Sequence, residues 1–384
     1  TVGDPDPTGN DDFSGLSSVY YEIRSNGTVT KSGNIAVEAG SARQKSVTET
    51  VRIDAIPAND TNNVEVYVEA YDNAGNRSEL TSEPIAIDIT QPEISVSFDN
   101  NSPLNGQYYQ NTRTATITVR ERNFDPNNVQ INITNTDGTR PTVTGWSSSS
   151  NAGLSNDATH TCQIIFAADG DYTFTVNCTD LALNSAANPY QSEEFTIDKT
   201  LPTVSVSYNN NDVLNGHYYS AARTATVTIT EHNFRASEVR VTTTASLNGS
   251  SISAPSISGW STSGDRHTAT ISFSGDGDYT FDIAYTDLAG NAMADYAQDS
   301  FTVDLTDPEI EITGVENRSA NKGTVAPVIT LSDTNYTADG VTLTLTGTNK
   351  GRINVDSMVS RTSNGNGQII TFRNFGSNMD DIYT

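Results

Sequence analysis

An internal repeat constrains this chain more than any other feature of its sequence. The segment that begins at Pro92 reads PEISVSFDNNSPLNGQYYQNTRTATITVRERNF, and the segment at Pro202 reads PTVSVSYNNNDVLNGHYYSAARTATVTITEHNF. Their offset is 110 residues, and it becomes 114 between Trp146 and Trp260. Length changes of this kind fall between strands, where loops tolerate them. The repeat is therefore one folded domain copied in tandem.

Apolar residues alternate with polar ones inside both copies. Examples are Ala115, Ile117 and Val119 in the first copy and Ala269, Ile271 and Phe273 in the second. Alternation at period two places the apolar side chains on one face of a half-buried strand. Two such sheets pack face to face as a β-sandwich. The predicted fold class is all-β, and 384 residues provide three to four sandwiches of about 100 residues each.

A second matching run fixes the later strands. Residues 169–174 read DGDYTF, and the same letters recur at 276–281. The run resembles the tyrosine corner of the immunoglobulin fold, which marks the start of strand F. It predicts strand F at 172–179 and an F–G turn, DLALN, at 180–184. Leu183 stands where the other two such turns have Gly, so we expect a different conformation there, because Leu is strained at positive φ.

Both ends of the chain carry incomplete copies. A DNAGN turn at 72–76 matches the F–G turn, and DDIYT at 380–384 matches the tyrosine corner. We expect the first copy to lack its opening strands and the last to lack strands F and G, as in a piece of a longer protein. The predicted domains are residues 1–89, 90–199, 200–305 and 306–384.

The linkers between the copies also recur, as DITQP at 88–92, DKTLP at 198–202 and DLTDP at 304–308. With the D-x-A-G-N turns, they resemble the bacterial Ig-like (Big-type) tandem repeats of cell-surface proteins and adhesins. The resemblance covers nearly the whole chain. It implies tandem immunoglobulin-like β-sandwiches arranged as an elongated rod, extracellular, on the bacterial cell surface or secreted. Its partners would be the neighbouring domains of the same chain, and it implies no enzymatic activity.

The net charge of −26 restricts the other partners. Nucleic acid and anionic lipid surfaces would be repelled and cations attracted. No run of about 18 apolar residues occurs, so we expect no membrane insertion in this segment. We expect any signal or anchor to lie outside this sequence.

Acidic residues recur at positions that the immunoglobulin topology brings to one end of each domain. The predicted groups are Asp88, Glu121 and Asp180; Asp198, Glu231 and Asp287; and Asp304 with Asp333. Calcium takes about six to eight oxygen ligands, and Asn184 and Asn291 would add carbonyl oxygens. The sequence predicts interdomain calcium sites. The alternative is that Asp180 and Asp287 cap their own turns while the linker acids face water.

Cys162 and Cys178 are the only cysteines. Their parity along strands E and F points both side chains into one core, so a disulfide is one interpretation. Two buried free thiols are the other, because the second copy has Ala269 and Tyr285 there. Both alternatives stay open at the level of sequence.

Recurring aromatic and basic residues have structural interpretations. Trp146, Trp260 and the Tyr-Tyr pairs at 108–109 and 218–219 recur in both copies, which favours core packing over sugar stacking. Arg113 and Arg223 point inward by parity and would pair with a carboxylate or cover apolar surface.

Two functions from different classes fit these patterns. The first is a structural spacer that holds a distal head away from the cell. The second is an adhesive module that binds a host or plant glycan or protein through loops, with segment 242–258 as its one divergent loop. An accessory region of a secreted carbohydrate-active enzyme is a further alternative. Catalysis lacks support, because the four histidines are scattered and no H-E-x-x-H or G-x-S-x-G motif occurs.

Overall fold

The computed structural model describes residues 1–5, 13–38, 45–136, 138–373, 375 and 377–384, in two compact units. The first unit, Thr1–Thr200, contains β1 Val2–Gly3, β2 Leu16–Ser25, β3 Thr28–Ile35, β4 Ser46–Val47, β5 Thr61–Asp72, β6 Arg77–Thr81, β7 Ile85–Ile87, β8 Glu93–Phe98, β9 Tyr108–Tyr109, β10 Arg113–Arg120, β11 Val129–Asn135, β12 Thr142–Val143, β13 Ser147–Ser148, β14 Thr159–Phe166, β15 Gly170–Cys178, β16 Tyr190–Gln191 and β17 Phe195–Ile197.

The second unit, Leu201–Thr384, contains β18 Thr203–Tyr208, β19 Tyr218–Tyr219, β20 Arg223–Thr230, β21 Arg240–Leu247, β22 Ser250–Ser251, β23 Ser261–Ser263, β24 Arg266–Phe273, β25 Gly277–Ala284, β26 Asp299–Val303, β27 Glu309–Thr313, β28 Val328–Ser332, β29 Leu345–Gly347, β30 Gly351–Ile353, β31 Val359–Ser363 and β32 Gly367–Phe372. Short 3-10 helices lie at Pro57–Asn59, Pro126–Asn128, Ala236–Glu238, Ala338–Gly340 and Ser377–Met379.

The strands from β8 to β17 form a two-sheet sandwich in the first unit. One sheet has the order β12-β14-β10-β8 and the other β11-β15-β17-β9. Ala115, Ile117 and Val119 of β10 are fully buried, while the threonines between them are only partly buried. Their side chains share a core with Tyr172 and Phe174 of the opposite sheet. The period-two pattern therefore predicted both the strand and its inner face.

The strands from β18 to β26 build the same sandwich in the second unit. Its sheets have the orders β18-β20-β24-β23 and β19-β26-β25-β21-β22. In each unit a short strand, β9 or β19, pairs in parallel with the last strand of the sandwich, β17 or β26. All other paired strands of these sandwiches run antiparallel. The prediction of an all-β chain of immunoglobulin-like sandwiches is confirmed.

The tyrosine corner is present three times. Tyr172 Oη donates to the carbonyl of Ala168 at 2.9 Å, and Tyr279 Oη donates to the carbonyl of Gly275 at 3.0 Å. Tyr383 makes the equivalent bond to Met379 at 2.7 Å. Each bond closes four residues upstream, and those of Tyr172 and Tyr279 tie the start of strand F to the preceding turn. The sequence match at all three places is therefore also a structural match.

The F–G turns adopt one conformation, contrary to the expectation for Leu183. Leu183 has a φ of 71°, close to the 91° of Gly290. Its N–H donates to Asp180 O at 3.2 Å, as Gly290 N–H donates to Asp287 O at 3.3 Å. The expectation was wrong because the turn's own hydrogen bonds hold the backbone. The Leu183 side chain is 80% exposed, so it meets no steric obstacle beyond its own backbone strain of about 1 kcal/mol.

The remaining sheets belong to the two ends of the chain. In the first unit, β3-β2-β5-β6 form one sheet, with β7 paired to β5, and β1 pairs with β4. In the second unit, β27-β28-β32-β31 form a sheet and β29 pairs with β30. The predicted domain boundaries at residues 89, 199 and 305 fall between strands. The four-domain division itself stays a prediction.

Arg113 and Arg223 cover aromatic surface inside the two sandwiches. Each is 8% exposed. The Arg113 guanidinium lies 3.7 Å from the ring centre of Phe98, and that of Arg223 lies 3.6 Å from the ring centre of Tyr208. The structure therefore agrees with the interpretation that these arginines cover apolar surface.

The recurring aromatic residues pack against the cores. Trp146 and Phe124 have ring centres 4.9 Å apart, and Trp260 and Phe234 have theirs 5.2 Å apart. Tyr109 is 5% exposed and belongs to the core of the first sandwich. These contacts support the packing interpretation over sugar stacking.

Candidate functional site

Three carboxylates from distant parts of the first unit meet at one end of its sandwich. Asp88 follows β7, Glu121 follows β10, and Asp180 lies two residues beyond β15. One oxygen from each carboxylate lies within 4.8 Å of the other two. The structure thus brings together the first group of acids that the sequence places at this end. Their binding of calcium stays a prediction.

These carboxylates are buried. Asp180 is 0% exposed, Glu121 is 1% exposed, and the side chain of Asp88 is 1% exposed. Linker acids that merely face water would not have this burial, so that part of the alternative interpretation does not hold for Asp88. Buried carboxylates need partners, because removal of a charge from water is unfavourable.

Backbone and amide N–H groups supply some of these partners. Asp180 accepts from the Asn184 backbone N–H at 2.8 Å and from its side-chain amide at 2.9 Å, so it does cap its own turn. Asn123 donates its backbone N–H to Glu121 Oε1 at 2.7 Å and its side-chain amide to Asp88 Oδ2 at 2.5 Å. Asn123 therefore links two of the three acids, a role that the sequence interpretation missed.

The two carboxylate oxygens of Glu121 differ in their hydrogen bonding. Oε2 is buried and accepts no hydrogen bond. Burial raises the pKa of Glu121 to about 7, and the charges of Asp88 and Asp180 add to the rise against the hydrogen bond from Asn123. An unpaired buried carboxylate oxygen is unfavourable unless a proton or a cation occupies it.

Arg122 lies beside the cluster and was also missed. It is 5% exposed, and its Nη2 lies 2.6 Å from Asp60 Oδ1 and 3.5 Å from Asp88 Oδ1. Nη2 also donates to the carbonyl of Ile87 at 3.2 Å. Burial alone would raise the pKa of Asp60, but hydrogen bonds from Thr90 and Arg122 bring that pKa below its usual value. One guanidinium thus serves several acceptors.

Three of the other predicted acids, Asp198, Glu231 and Asp287, are also buried. In the second unit, Glu231 and Asp287 are 4% and 3% exposed, and their carboxylates approach within 4.8 Å. Asp287 caps its turn by accepting from the Asn291 backbone N–H at 2.8 Å. Asp198, at the end of the first unit, is 3% exposed and accepts from the Thr200 N–H at 3.1 Å.

A two-acid version of the arrangement occurs later in the second unit. Asn335 donates its backbone N–H to Asp333 Oδ1 at 2.8 Å and its side-chain amide to Asp304 Oδ2 at 2.9 Å. This is the pattern of Asn123 with Glu121 and Asp88. The signal was available in the sequence as an acid, any residue and then Asn, which occurs as ERN, EHN and DTN.

Two of the histidines contact the backbone of the acid that follows β10 in the first unit and β20 in the second. His160 is 3% exposed, donates from Nε2 to the carbonyl of Glu121 at 2.8 Å and stacks on Phe124 at 4.1 Å. The second unit repeats this with His267, Glu231 and Phe234. These histidines are therefore not scattered: their offset of 107 residues equals that of Tyr172 and Tyr279. The recurrence was the signal that sequence interpretation overlooked.

Cys162 and Cys178 are free thiols in the structure, and both are buried in one core. Burial raises the pKa of Cys162 to about 11. Burial, with the charges of Glu121 and Asp180, raises the pKa of Cys178 to about 12. Thiols with such pKa values are un-ionised and unreactive near neutral pH.

Segment 242–258 contains a regular hairpin. β21 turns through Asn248 and Gly249, both at positive φ, into β22. Thr243 Oγ1 donates to the carbonyl of Pro255 at 2.8 Å. The divergent loop therefore extends an existing sheet.

An open cavity of about 720 Å³ lies in the first unit. Its lining includes Leu16, Tyr21, Val66, Val68 and Glu79. Apolar walls with a few polar groups are usual for ligand pockets. The cavity is separate from the acidic cluster.

A comparison with protein-family models found a match in the first part of the chain. Residues 6–89 match the family model described as bacterial Ig-like domain. A search of curated proteins gave no match. Among solved structures, FdeC, described as an Escherichia coli adhesin, is similar at 17% sequence identity, over 74% of this chain and 88% of that chain, with a TM-score of 0.29. Within the described residues no helix is long and apolar enough to span a bilayer.

Proposed function

We propose that this chain, whose residues 6–89 are a bacterial Ig-like domain, is a stalk segment of an extracellular bacterial surface protein. Its sandwiches act as spacers that hold a distal head away from the cell. The proposal assigns no enzymatic activity to the segment. Support comes from the family match and from two sandwiches of one design in tandem.

The observation that carries the proposal is the buried polar joint in the first unit. Arg122 belongs to the second predicted domain, and its partners Asp60, Ile87 and Asp88 belong to the first. An ion pair with one partner 5% and the other 12% exposed is geometrically demanding, because a small displacement would leave a buried charge unpaired. A spacer needs such joints, since a freely bending linker would not set the reach of a head.

Neutral side chains extend the joint. Thr90 Oγ1 donates to Asp60 Oδ2 at 2.5 Å, and Asn156 donates its amide to Thr90 Oγ1 at 2.9 Å. Asn62 donates its amide to Asn123 Oδ1 at 2.8 Å and to the carbonyl of Gly153 at 3.0 Å. The five-residue linker 88–92 is thus held from both sides by directional bonds.

Small-angle scattering of the 384-residue chain tests the proposal. A compact chain of this length would have a radius of gyration of about 21 Å. A stalk predicts a value well above that, with a distance distribution that has a long tail. A radius near the compact value would refute the stalk. Arg122→Ala should broaden the distribution, whereas His232→Ala, at the matching position of the second unit, should leave it unchanged.

The cavity in the first unit supports a second candidate, an adhesive module for a host or plant glycan or protein. A glycan array probed with the chain tests it. Specific binding that Val68→Trp removes would assign the adhesive function to this cavity. Binding that survives this variant would place the function elsewhere, and an array without signal would contradict a glycan ligand.

A further inference from the structure

We propose that Asp88, Glu121 and Asp180 form a binding site for a divalent cation, calcium in particular, within the first unit. The site rests on its own contacts and would exist whether or not the chain serves as a stalk. Three carboxylate oxygens within 4.8 Å of one another provide the start of a coordination shell.

The unpartnered oxygen of Glu121 points to a ligand. Its residue is 1% exposed, and Oε2 accepts no hydrogen bond although Oε1 accepts one from Asn123. Native proteins leave few buried polar atoms unsatisfied, and a bound ion is one of the recognised explanations for such an atom. Turn capping explains the hydrogen bonds of Asp180 but leaves this oxygen without a partner.

The net negative charge around the cluster also favours a bound cation. The guanidinium of Arg122 lies near the carboxylates of Asp60 and Asp88, and Asp88 clusters with Glu121 and Asp180. The formal charges of these four carboxylates and the one guanidinium sum to −3, in a place with little access to water. Buried like charges repel strongly, because the local dielectric constant is low. A doubly charged cation would reduce the sum to −1.

The donor set selects the class of metal. All three acids offer hard carboxylate oxygens, which suit calcium, magnesium or manganese better than zinc or copper. The Asn184 amide donates to Asp180 Oδ2 at 2.9 Å and to the Asp88 carbonyl at 3.2 Å. Rotation of that amide by 180° would present its Oδ1 to the site as a further ligand. Such a set from loops and turns suits the flexible shell of calcium better than the strict octahedron of magnesium.

Equilibrium dialysis with calcium measures the number of ions that the full chain binds. Glu121→Gln should lower that number by one, because it removes a charged ligand while Gln keeps the acceptor for the Asn123 N–H. The matched control is Glu93→Gln, which removes an exposed carboxylate one strand away, paired with Arg120 at 3.1 Å. The control should bind as many ions as the wild type.

Thermal melting in calcium and in chelator gives a second measurement. For affinities of 0.1–1 mM, usual for extracellular sites, 2 mM calcium should raise the melting temperature of the first unit by roughly 2–6 °C. Glu121→Gln should lose this shift. It should also melt above the metal-free wild type, because its amide N–H groups can donate to the neighbouring carboxylates.

Two results would contradict the proposed cation site. Absence of calcium uptake by the wild type would do so, as would an unchanged ion count in Glu121→Gln. Circular dichroism checks that the variant is folded. If Glu121→Gln does not fold, Asp88→Asn, which keeps a hydrogen-bond acceptor at that position, must show the loss of one ion instead. A chain that fails this test but scatters as an elongated particle would still be a stalk.

Discussion

The repeats at residues 90–199 and 200–305 form the same sandwich, but they carry different residues at three positions that are compared below. Arg122 corresponds to His232, Cys178 to Tyr285, and Leu183 to Gly290. The repeats also differ in length, between Phe124 and Trp146 and between Trp146 and His160. Strand order, tyrosine corner and F–G turn are nevertheless alike in both.

The comparison separates what the sandwich needs from what each copy has added. The alternating apolar strands and the turn hydrogen bonds recur because the fold depends on them. Arg122 is buried in a polar network, whereas the side chain of His232 is 67% exposed and its Nδ1 lies 2.9 Å from Asp265 Oδ1. The buried arginine that follows Glu121 at the end of β10 is therefore an addition of the first unit.

The largest expected effect comes from Arg122→Ala. The variant leaves Asp60 buried with no guanidinium, so the first unit should lose about 3–5 kcal/mol of unfolding free energy. His232→Ala should change the second unit by less than about 0.5 kcal/mol. Differential scanning calorimetry of the full chain would show both effects. Equal losses in the two variants would contradict the comparison.

Exchange of core residues should have the next largest effect. Tyr285 is 2% exposed, its ring centre lies 5.5 Å from that of Phe234, and its oxygen accepts from the Arg235 N–H at 3.2 Å. Tyr285→Cys leaves a cavity and removes that acceptor, so the second unit should lose about 3–4 kcal/mol.

Cys178→Tyr serves as the reverse exchange. It should destabilise the first unit by about 1–3 kcal/mol through overpacking. Urea unfolding followed by tryptophan fluorescence measures both variants. A tolerated exchange in either direction would show that the two cores are interchangeable.

Thiol labelling sharpens the same difference, since only the first unit contains cysteine. Because burial raises the pKa of Cys162 to about 11 and that of Cys178 to about 12, iodoacetamide at pH 8 should react at least about 100-fold more slowly than with an exposed thiol. In guanidinium without reductant, mass spectrometry should find two labels. Labels that appear only after reduction would establish the disulfide alternative.

The smallest effect concerns the turn. Leu183→Gly should stabilise the first unit by about 0.5–1 kcal/mol, because Gly carries no strain at a φ of 71°. Leu181→Gly is the control: this residue is 62% exposed but has no positive φ, so Gly should destabilise the unit. Gly290→Leu should destabilise the second unit by about 1 kcal/mol. Thermal melting shows whether each variant raises or lowers the melting temperature.

Much of the fold and part of the site could be predicted from the sequence. Alternation identified β10 and β24, the DGDYTF run located both tyrosine corners, and recurrence listed the acids Asp88, Glu121 and Asp180. Asp60, Arg122 and Asn123 were missed. Asp60 contacts Arg122 across 62 positions of sequence, and a single polar residue in a loop carries no periodic signal of its partner. Leu183 was misjudged, because residue preference alone ignores the hydrogen bonds that hold a turn.

The sequence alone therefore determined the sandwich, its repetition and the acids that recur at its ends, because periodicity and recurrence are properties of the chain itself. Only the tertiary structure decided that these acids are buried, that Asn123 and Arg122 link them, and that one oxygen of Glu121 has no donor. Burial and hydrogen-bond saturation depend on which loops meet in space, and residues far apart in sequence do not specify that meeting locally. In the acidic cluster of the first unit, the sequence identified the acids, and the tertiary structure identified their burial and their hydrogen-bond partners.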